Sequence, residues 1–197
     1  MPYEFKFYIH HNLVFHHLME THQCIGRNKN GSECKRKVTI GTPYCFQHLT
    51  SIKHLKIQKS NIHDAGNGLF ALDKNKPSKA IIFKKGEKII EYIGEKVTME
   101  TLDERYGEDN TAPYAIEISK KKDEYEDAAL IRGVASLSNQ GNKKSQNNSK
   151  FGLNVREGKA FLKAWKNIRN GEEILTDYGR SYTFDKNTEH KTQYVRP

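Results

Sequence analysis

The strongest constraint on the fold is the shortness of its apolar runs. From residue 68 the chain offers "GLFAL" (68–72), "AIIF" (80–83), "KIIEYIG" (88–94), "YAIEI" (114–118), "AALI" (128–131), "GKAFLKAW" (158–165) and "EEILTDY" (172–178), separated by glycines and polar turns. Runs of this length suit strands rather than core helices. One segment carries a helical signature: Thr98 as N-cap, Glu100 in the first turn, Leu102 and Tyr106 one turn apart, and Gly107 as the stop. The stretch "NQGNKKSQNNSK" (139–150) is expected to be a loop with little ability to order itself. Many short strands with a single helix predict a mainly β fold of several small sheets. With no glycine-rich phosphate loop leading into a long helix, Rossmann and P-loop readings fail.

Ahead of this body lie the chain's three cysteines, Cys24, Cys34 and Cys45, with His48 three residues past the last. An odd number leaves one thiol over from any disulfide scheme. Three thiols and an imidazole make a closed tetrahedral set for a structural zinc ion. Cys45 and His48, on a turn or first helical turn, can point at one ion, and Gly26, Gly31, Gly41 and Pro43 supply the reversals that bring the others round. The segment is too short and polar to build its own core, so ligand bonds must supply most of its folding free energy. The alternative is three unrelated buried thiols beside a surface histidine. His10, His11, His16, His17 and His22 are either further ligands or a surface cluster.

The 197 residues allow one domain plus a small appendage. Mean hydropathy is −0.83, and no stretch approaches the roughly 18 apolar residues of a membrane span. Histidines interrupt the first 20 residues and no small-residue cleavage site follows, so an intracellular, soluble location is expected, with no membrane partner. The net charge of +9 favours acidic partners such as nucleic acid or nucleoprotein. Residues 21–60 carry Arg27, Lys29, Lys35, Arg36, Lys37, Lys53, Lys56 and Lys59 against Glu33 alone. That stretch is either a solvated surface or a phosphate-binding face.

The body resembles the SET domain, the lysine methyltransferase fold that uses S-adenosylmethionine. "DAGNGLFAL" (64–72) matches the family's opening Gly-x-Gly turn and strand, and "FKKGEKIIEYIGE" (83–95) its second strand pair. "TMETLDERYG" (98–107) sits at its short helix, and "YAIEI" at its strand that begins with an aromatic residue. "EDAALIRGVASLSNQ" (126–140) occupies the place of its Asn-His segment, and "NIRNGEEILTDYG" (167–179) that of its closing Gly-Glu-Glu…Asp-Tyr-Gly stretch. The order resembles compact SET proteins, viral ones included, that lack a cysteine-rich segment after the domain. The knuckle is similar in spacing to the plant WRC-type zinc motif, with Ser32-Glu33 where that motif has tryptophan and arginine. The division implied is an N-terminal segment (1–20), a zinc knuckle (21–50), a SET domain (55–182) and a tail (183–197).

The resemblance implies a C-terminal pseudoknot that brings residues near 139 and 178 together around the methyl donor. Tyr178, followed by Gly179, could by itself be a packed strand end or a phenol aimed into a site. The resemblance makes it the catalytic tyrosine, with Tyr114 lining the same channel. It assigns Gly66, Asn67 and Gly68 to the donor-binding turn, Asn139 and the Gln140 backbone to the donor, and Tyr182 to its adenine. The implied activity is methyl transfer from S-adenosylmethionine to a lysine of a histone or other basic protein tail, with zinc as a structural ion. Glu100, Asp103, Glu104, Glu108, Asp109, Asp123, Glu124, Glu126 and Asp127 are candidates to line a groove for such a tail. Gln140 stands where the family has histidine, Ser136 where it has arginine, and Thr176 where it often has Phe or Tyr. Those departures keep a second reading open: a non-catalytic module that binds nucleic acid or protein on a degenerate SET scaffold.

Overall fold

The computed structural model describes residues 21–39, 41–107, 112 and 114–179. Strand β1 (Thr21–Gln23) pairs antiparallel with β2 (Lys37–Thr39) around the cysteine segment, and helix α1 (Phe46–Lys53) follows. Strand β3 (Leu55–Lys59) pairs antiparallel with β4 (Asn67–Ala71), Leu55 opposite Ala71. Next come β5 (Ile81–Phe83), β6 (Lys88–Tyr92), β7 (Glu95–Val97) and helix α2 (Met99–Tyr106). Strands β8 (Ala115–Ser119) and β9 (Glu124–Asp127) complete a small sheet of order β7-β9-β8. The chain closes with β10 (Ser149–Asn154), β11 (Lys159–Ala164), β12 (Ile168–Arg169) and β13 (Thr176–Asp177). The largest sheet has order β13-β10-β11-β6, and β12 pairs with β5. The expected mainly β architecture of several small sheets is what the chain adopts.

One core holds these sheets together. Leu55 and Leu69 from the β3–β4 hairpin meet Leu162 of β11, Ile168 of β12 and Ile174, all fully buried. Truncating any one to alanine would cost about 2–5 kcal/mol. Alternation sets which side chains go inward: on β11, Ala160, Leu162 and Ala164 are buried, while Lys159, Phe161 and Lys163 face outward. A second, smaller cluster of Val97, Leu102, Ala112, Ala115 and Tyr125 seats α2.

Helix α2 starts as the sequence predicts: the Thr98 hydroxyl accepts the Thr101 N–H at 3.3 Å, and Gly107 closes it. Three expectations are corrected. Residues 49–58, "LTSIKHLKIQ", which fall outside the strands and the helix expected from residue 68 onward, hold the end of α1 and most of β3, because Leu49 drops into the main core and His54 turns the chain in a left-handed conformation. "AALI" (128–131) is a turn; the strand is the preceding Glu124–Asp127. Loop 139–150 is ordered by its own amides: Asn147 Oδ1 accepts the Gly141 N–H, and Gln146 Oε1 the Lys143 N–H. Among the described residues no helix is long and apolar enough to cross a membrane.

Candidate active site and metal centre

The last described segment is held on both sides. On one side it joins β4: Gly171 N–H donates to Ala71 O, Ala71 N–H to Glu172 O, and Ile174 N–H to Leu69 O, at 2.7–2.9 Å. On the other it joins the 139–150 loop. Thr176 N–H donates to Asn139 O, and both Asn148 and Ser149 N–H donate to Leu175 O, each at 2.9 Å. The Asn148 amide doubles as a backbone mimic, donating to Glu173 O at 2.8 Å and accepting the Leu175 N–H at 3.0 Å. Parallel pairing of β10 with β13 continues the clamp. The chain is thus threaded as a pseudoknot, and residues 139 and 178 come together as expected.

Tyr178 leaves this clamp buried. Its N–H donates to the Gln140 side-chain oxygen at 2.9 Å, and its hydroxyl to Ser138 O at 3.0 Å. Gln140 therefore meets Tyr178 through its side chain, where the family has an imidazole. Two residues back, the Thr176 hydroxyl is fully buried without a hydrogen-bond partner. The phenol of Tyr92 donates to Tyr114 O at 2.6 Å. Burial pushes the Tyr92 pKa well above the ordinary phenol range, helped by Asp127, Tyr178, Glu126 and Tyr114. Tyr92 stays neutral, with its proton fixed on Tyr114. The guanidinium of Arg132 lies 4.2 Å from the Tyr114 ring centroid.

Asn67 and Gly68 open β4 directly behind the turn at Gly66, which has φ of +66°. An added Cβ at Gly66 would meet nothing within 4 Å, so one side of the turn is open. Gly68 is the opposite case, because a Cβ there would run into Glu173 Oε1 and stand 3.3 Å from Asn139 Nδ2. The Asn139 amide donates to Asn67 O at 3.1 Å and approaches Glu173 Oε1 at 3.5 Å. Glu173 also accepts the Ser60 hydroxyl at 2.6 Å and the Asn61 N–H at 2.8 Å. This buried carboxylate ties the donor-turn candidates to the threaded segment, a role the sequence hides inside an ordinary Glu-Glu pair. Asn148 was missed for the same reason: it reads as one more polar loop residue. Tyr182 lies outside the described residues.

For two of the acids expected to line a substrate groove, Asp127 and Glu126, the expectation is corrected. Asp127 is fully buried and accepts from Arg105 at 3.0 Å and from the Tyr106 hydroxyl at 2.8 Å. Glu126 is buried too, held by Lys96 at 3.1 Å and by the Gly94 N–H at 3.0 Å. Neither faces a substrate. Asp123 accepts the Met99 N–H at the start of α2, and Glu108 and Asp109 lie outside the described residues.

Cys24, Cys34, Cys45 and His48 are all buried, with one donor atom from each lying within 4.8 Å of the others. The Cys34 and Cys45 sulfurs are 3.9 Å apart, and His48 Nδ1 is 3.3 Å from Cys24 Sγ and 3.5 Å from Cys45 Sγ. Tetrahedral zinc bonds of about 2.3 Å to sulfur and 2.0 Å to nitrogen imply ligand separations of about 3.8 and 3.5 Å. The four residues fit. Cys45 is the N-cap of α1 and His48 lies in its first turn. Burial raises the Cys45 thiol, but the His48 and Gln47 N–H groups and the other two cysteines outweigh it and bring the pKa to about 6. Burial pushes Cys24 upward. Histidines 10, 11, 16 and 17 lie outside the described residues, and half-buried His22 hydrogen-bonds Gln23 O.

A sequence comparison with curated proteins finds no match. Among solved structures the chain resembles active polycomb repressive complex 2 in the stimulated state: 23% identity, TM-score 0.53, covering 74% of this chain and 18% of that one. The polycomb repressive complex 2 of Chaetomium thermophilum gives 22% identity and a TM-score of 0.52, covering 74% and 17%. At these identities the likeness is one of fold, and this chain spans less than a fifth of either. The family model for the SET domain matches residues 66–179, from the Gly66 turn to Gly179 beyond the buried tyrosine. That match takes in more than half of the chain, which therefore belongs to the SET-domain family.

Proposed function

We propose that this protein is an S-adenosylmethionine-dependent methyltransferase acting on the side-chain amine of lysine in a protein substrate, a histone or other basic tail. The observation that carries this reading is the clamp that places Tyr178 against Ser138 and Gln140. The donor, when bound, supplies a methyl group on a positively charged sulfur. Gly66, Asn67 and Gly68, with Asn139 and the Gln140 backbone, would hold it, and Tyr182 would lie beside its adenine. The open side of Gly66 fits a site with room for a further group.

A lysine with the ordinary pKa of about 10.4 is neutral in only about one molecule in a few thousand at pH 7. A channel lined by Tyr114 and Tyr178 would disfavour the ammonium form by desolvation. No strong base at the amine is then needed. Tyr178 acts by position and by its fixed dipole, its hydroxyl oriented through Ser138. Thr176 is smaller than the Phe or Tyr the family often has there, which would favour more than one methyl on the product. Zinc held by the knuckle (21–50) would be structural, and Leu49 anchors that segment to the SET body (55–182).

One observation favours a second reading, a non-catalytic scaffold: the Glu173 carboxylate already stands against Gly68 and engages Asn139. Calorimetry with the donor, followed by labelled methyl transfer to histones, separates the two. Tyr178→Phe is expected to keep donor affinity and to lower turnover about 100-fold. Failure of the purified protein to bind donor at millimolar concentration would overturn the enzyme reading.

A further inference from the structure

The outer face of the β13-β10-β11-β6 sheet is more basic than its packing requires. Register places Lys163 opposite both Lys150 and Lys88, so three lysines cross the sheet in one row. Like charges directly opposite on neighbouring strands repel. Lys85 joins them from the turn before β6, and Lys166 from just past β11, where its ammonium donates to Ser145 O at 2.6 Å. Lys85, Lys88, Lys150 and Lys166 are exposed and Lys163 is half-buried. Among the described residues none of the five forms an ion pair. Three acids stand near the row, Asp177 in register with Lys150, and none is within ion-pair distance of the five lysines. Glu91 pairs with Lys159 at 3.1 Å, Asp177 accepts the Gly179 N–H, and Glu87 accepts the Lys84 N–H.

Aromatic rings lie among these charges. Trp165, the chain's single tryptophan, is 50% exposed directly after β11. Lys150 Nζ stands 3.9 Å from its ring centroid and Lys85 Nζ 5.7 Å, reaching it from the two flanking segments. Lys88 Nζ lies 3.9 Å from the Phe161 ring. A lone exposed tryptophan needs no explanation. An exposed indole inside a row of unpaired ammonium groups is different, because it offers a stacking surface and a polyanion track together.

We propose that this sheet face binds single-stranded nucleic acid, with the five lysines along the phosphates and Trp165 as the platform for one unstacked base. A duplex would satisfy the lysines but would keep its bases from the indole. The surface is not the basic 21–60 stretch singled out by composition.

Because Trp165 is the chain's only tryptophan, its fluorescence reports on this face alone. The full-length protein, titrated with a mixed-sequence single-stranded oligonucleotide of about 20 nucleotides, should show indole quenching that saturates together with anisotropy of the labelled strand. The slope of log affinity against log salt should approach about −3.5 if all five ammonium groups meet phosphates. Trp165→Ala should weaken binding roughly 5- to 150-fold, and Trp165→Phe should recover most of that loss. Lys150→Glu with Lys163→Glu should weaken it further and flatten the slope, with circular dichroism confirming the fold of each variant. Lys56→Glu with Lys59→Glu, outside the face, should leave binding unchanged. The proposal is overturned if the matched duplex binds as tightly, if anionic vesicles quench Trp165 in its place, or if no strand binds. It also fails if the Lys56 and Lys59 changes abolish binding while the sheet variants do not.

Discussion

Asn148→Ala tests the threading directly. The Asn148 amide donates to Glu173 O at 2.8 Å and accepts Leu175 N–H at 3.0 Å, so its removal strips two backbone groups of partners. Glu173 and Leu175 are both buried. Leaving a buried polar group unpaired costs about 1–3 kcal/mol, so two give about 2–6 kcal/mol. Asn148 itself is half-buried, and water entering the vacated space recovers part of the loss, which points to about 2–3 kcal/mol. For a chain of this length each kcal/mol lowers the melting midpoint by about 2–4 °C, so a fall of roughly 4–12 °C is expected. Urea unfolding followed by circular dichroism gives the free energy, and calorimetric melting gives the midpoint. Asn148→Asp sharpens the test. Its carboxylate still accepts from Leu175 N–H but turns a second oxygen toward the Glu173 carbonyl, so it should be no better than alanine. A loss below about 0.5 kcal/mol in Asn148→Ala, or a fully stable Asn148→Asp, would refute the claim that this amide holds the threaded segment.

Other consequences can be measured on the same preparation. Gly68→Ala must displace the Glu173 carboxylate and crowd the Asn139 amide, and should cost about 1–3 kcal/mol along with affinity for the donor; unchanged stability and affinity would show the turn to be loose. Elemental analysis should find one zinc per chain, and a strong chelator or Cys34→Ser should lower the melting midpoint; a metal-free protein with an unchanged melt would end the metal assignment. Glu126 has a pKa raised chiefly by burial, against the opposing Gly94 N–H and Lys96. Its protonated form is favoured more in the folded chain than in the unfolded one. The stability it contributes is therefore full below about pH 4.5 and declines as pH rises through the folded value. Glu126→Gln should flatten that part of the pH–stability curve, and a curve identical to the unsubstituted protein would contradict the assignment.

What the sequence made legible followed from local chemistry. Helix α2 carries its start and stop in Thr98 and Gly107, so a reading confined to ten residues finds it. Strands β4, β6, β8 and β11 carry apolar runs that declare themselves in the same way. Strand β9 could not be found by that route. Its sequence is Glu124-Tyr125-Glu126-Asp127, and Glu126 and Asp127 are buried by ion pairs and hydrogen bonds with Lys96, Arg105 and Tyr106, all distant in sequence. The apolar residues after it read as the strand, and the acids themselves as the wall of a substrate groove. Helix α1 was lost for a related reason, since its place depends on Cys45 and His48 at the metal cluster and on Leu49 in the core. The cluster of Cys24, Cys34, Cys45 and His48 was still legible, because cysteine is rare enough here for spacing alone to single its members out.

The replacement of histidine by Gln140 has a simple physical reading in this clamp. Tyr178 N–H needs an acceptor at that point, and the Gln140 carboxamide supplies one at 2.9 Å that does not titrate near neutral pH. An imidazole accepts there only while neutral, and would release the tyrosine backbone once protonated. The Tyr178 N–H and hydroxyl meet the Gln140 side-chain oxygen and the Ser138 carbonyl, and the Asn148 amide holds neighbouring Leu175. Nothing among them changes charge between pH 5 and 8. The contacts made by these amides and carbonyls are therefore insensitive to pH across that range, whereas a histidine in place of Gln140 would make the Tyr178 contact pH-dependent.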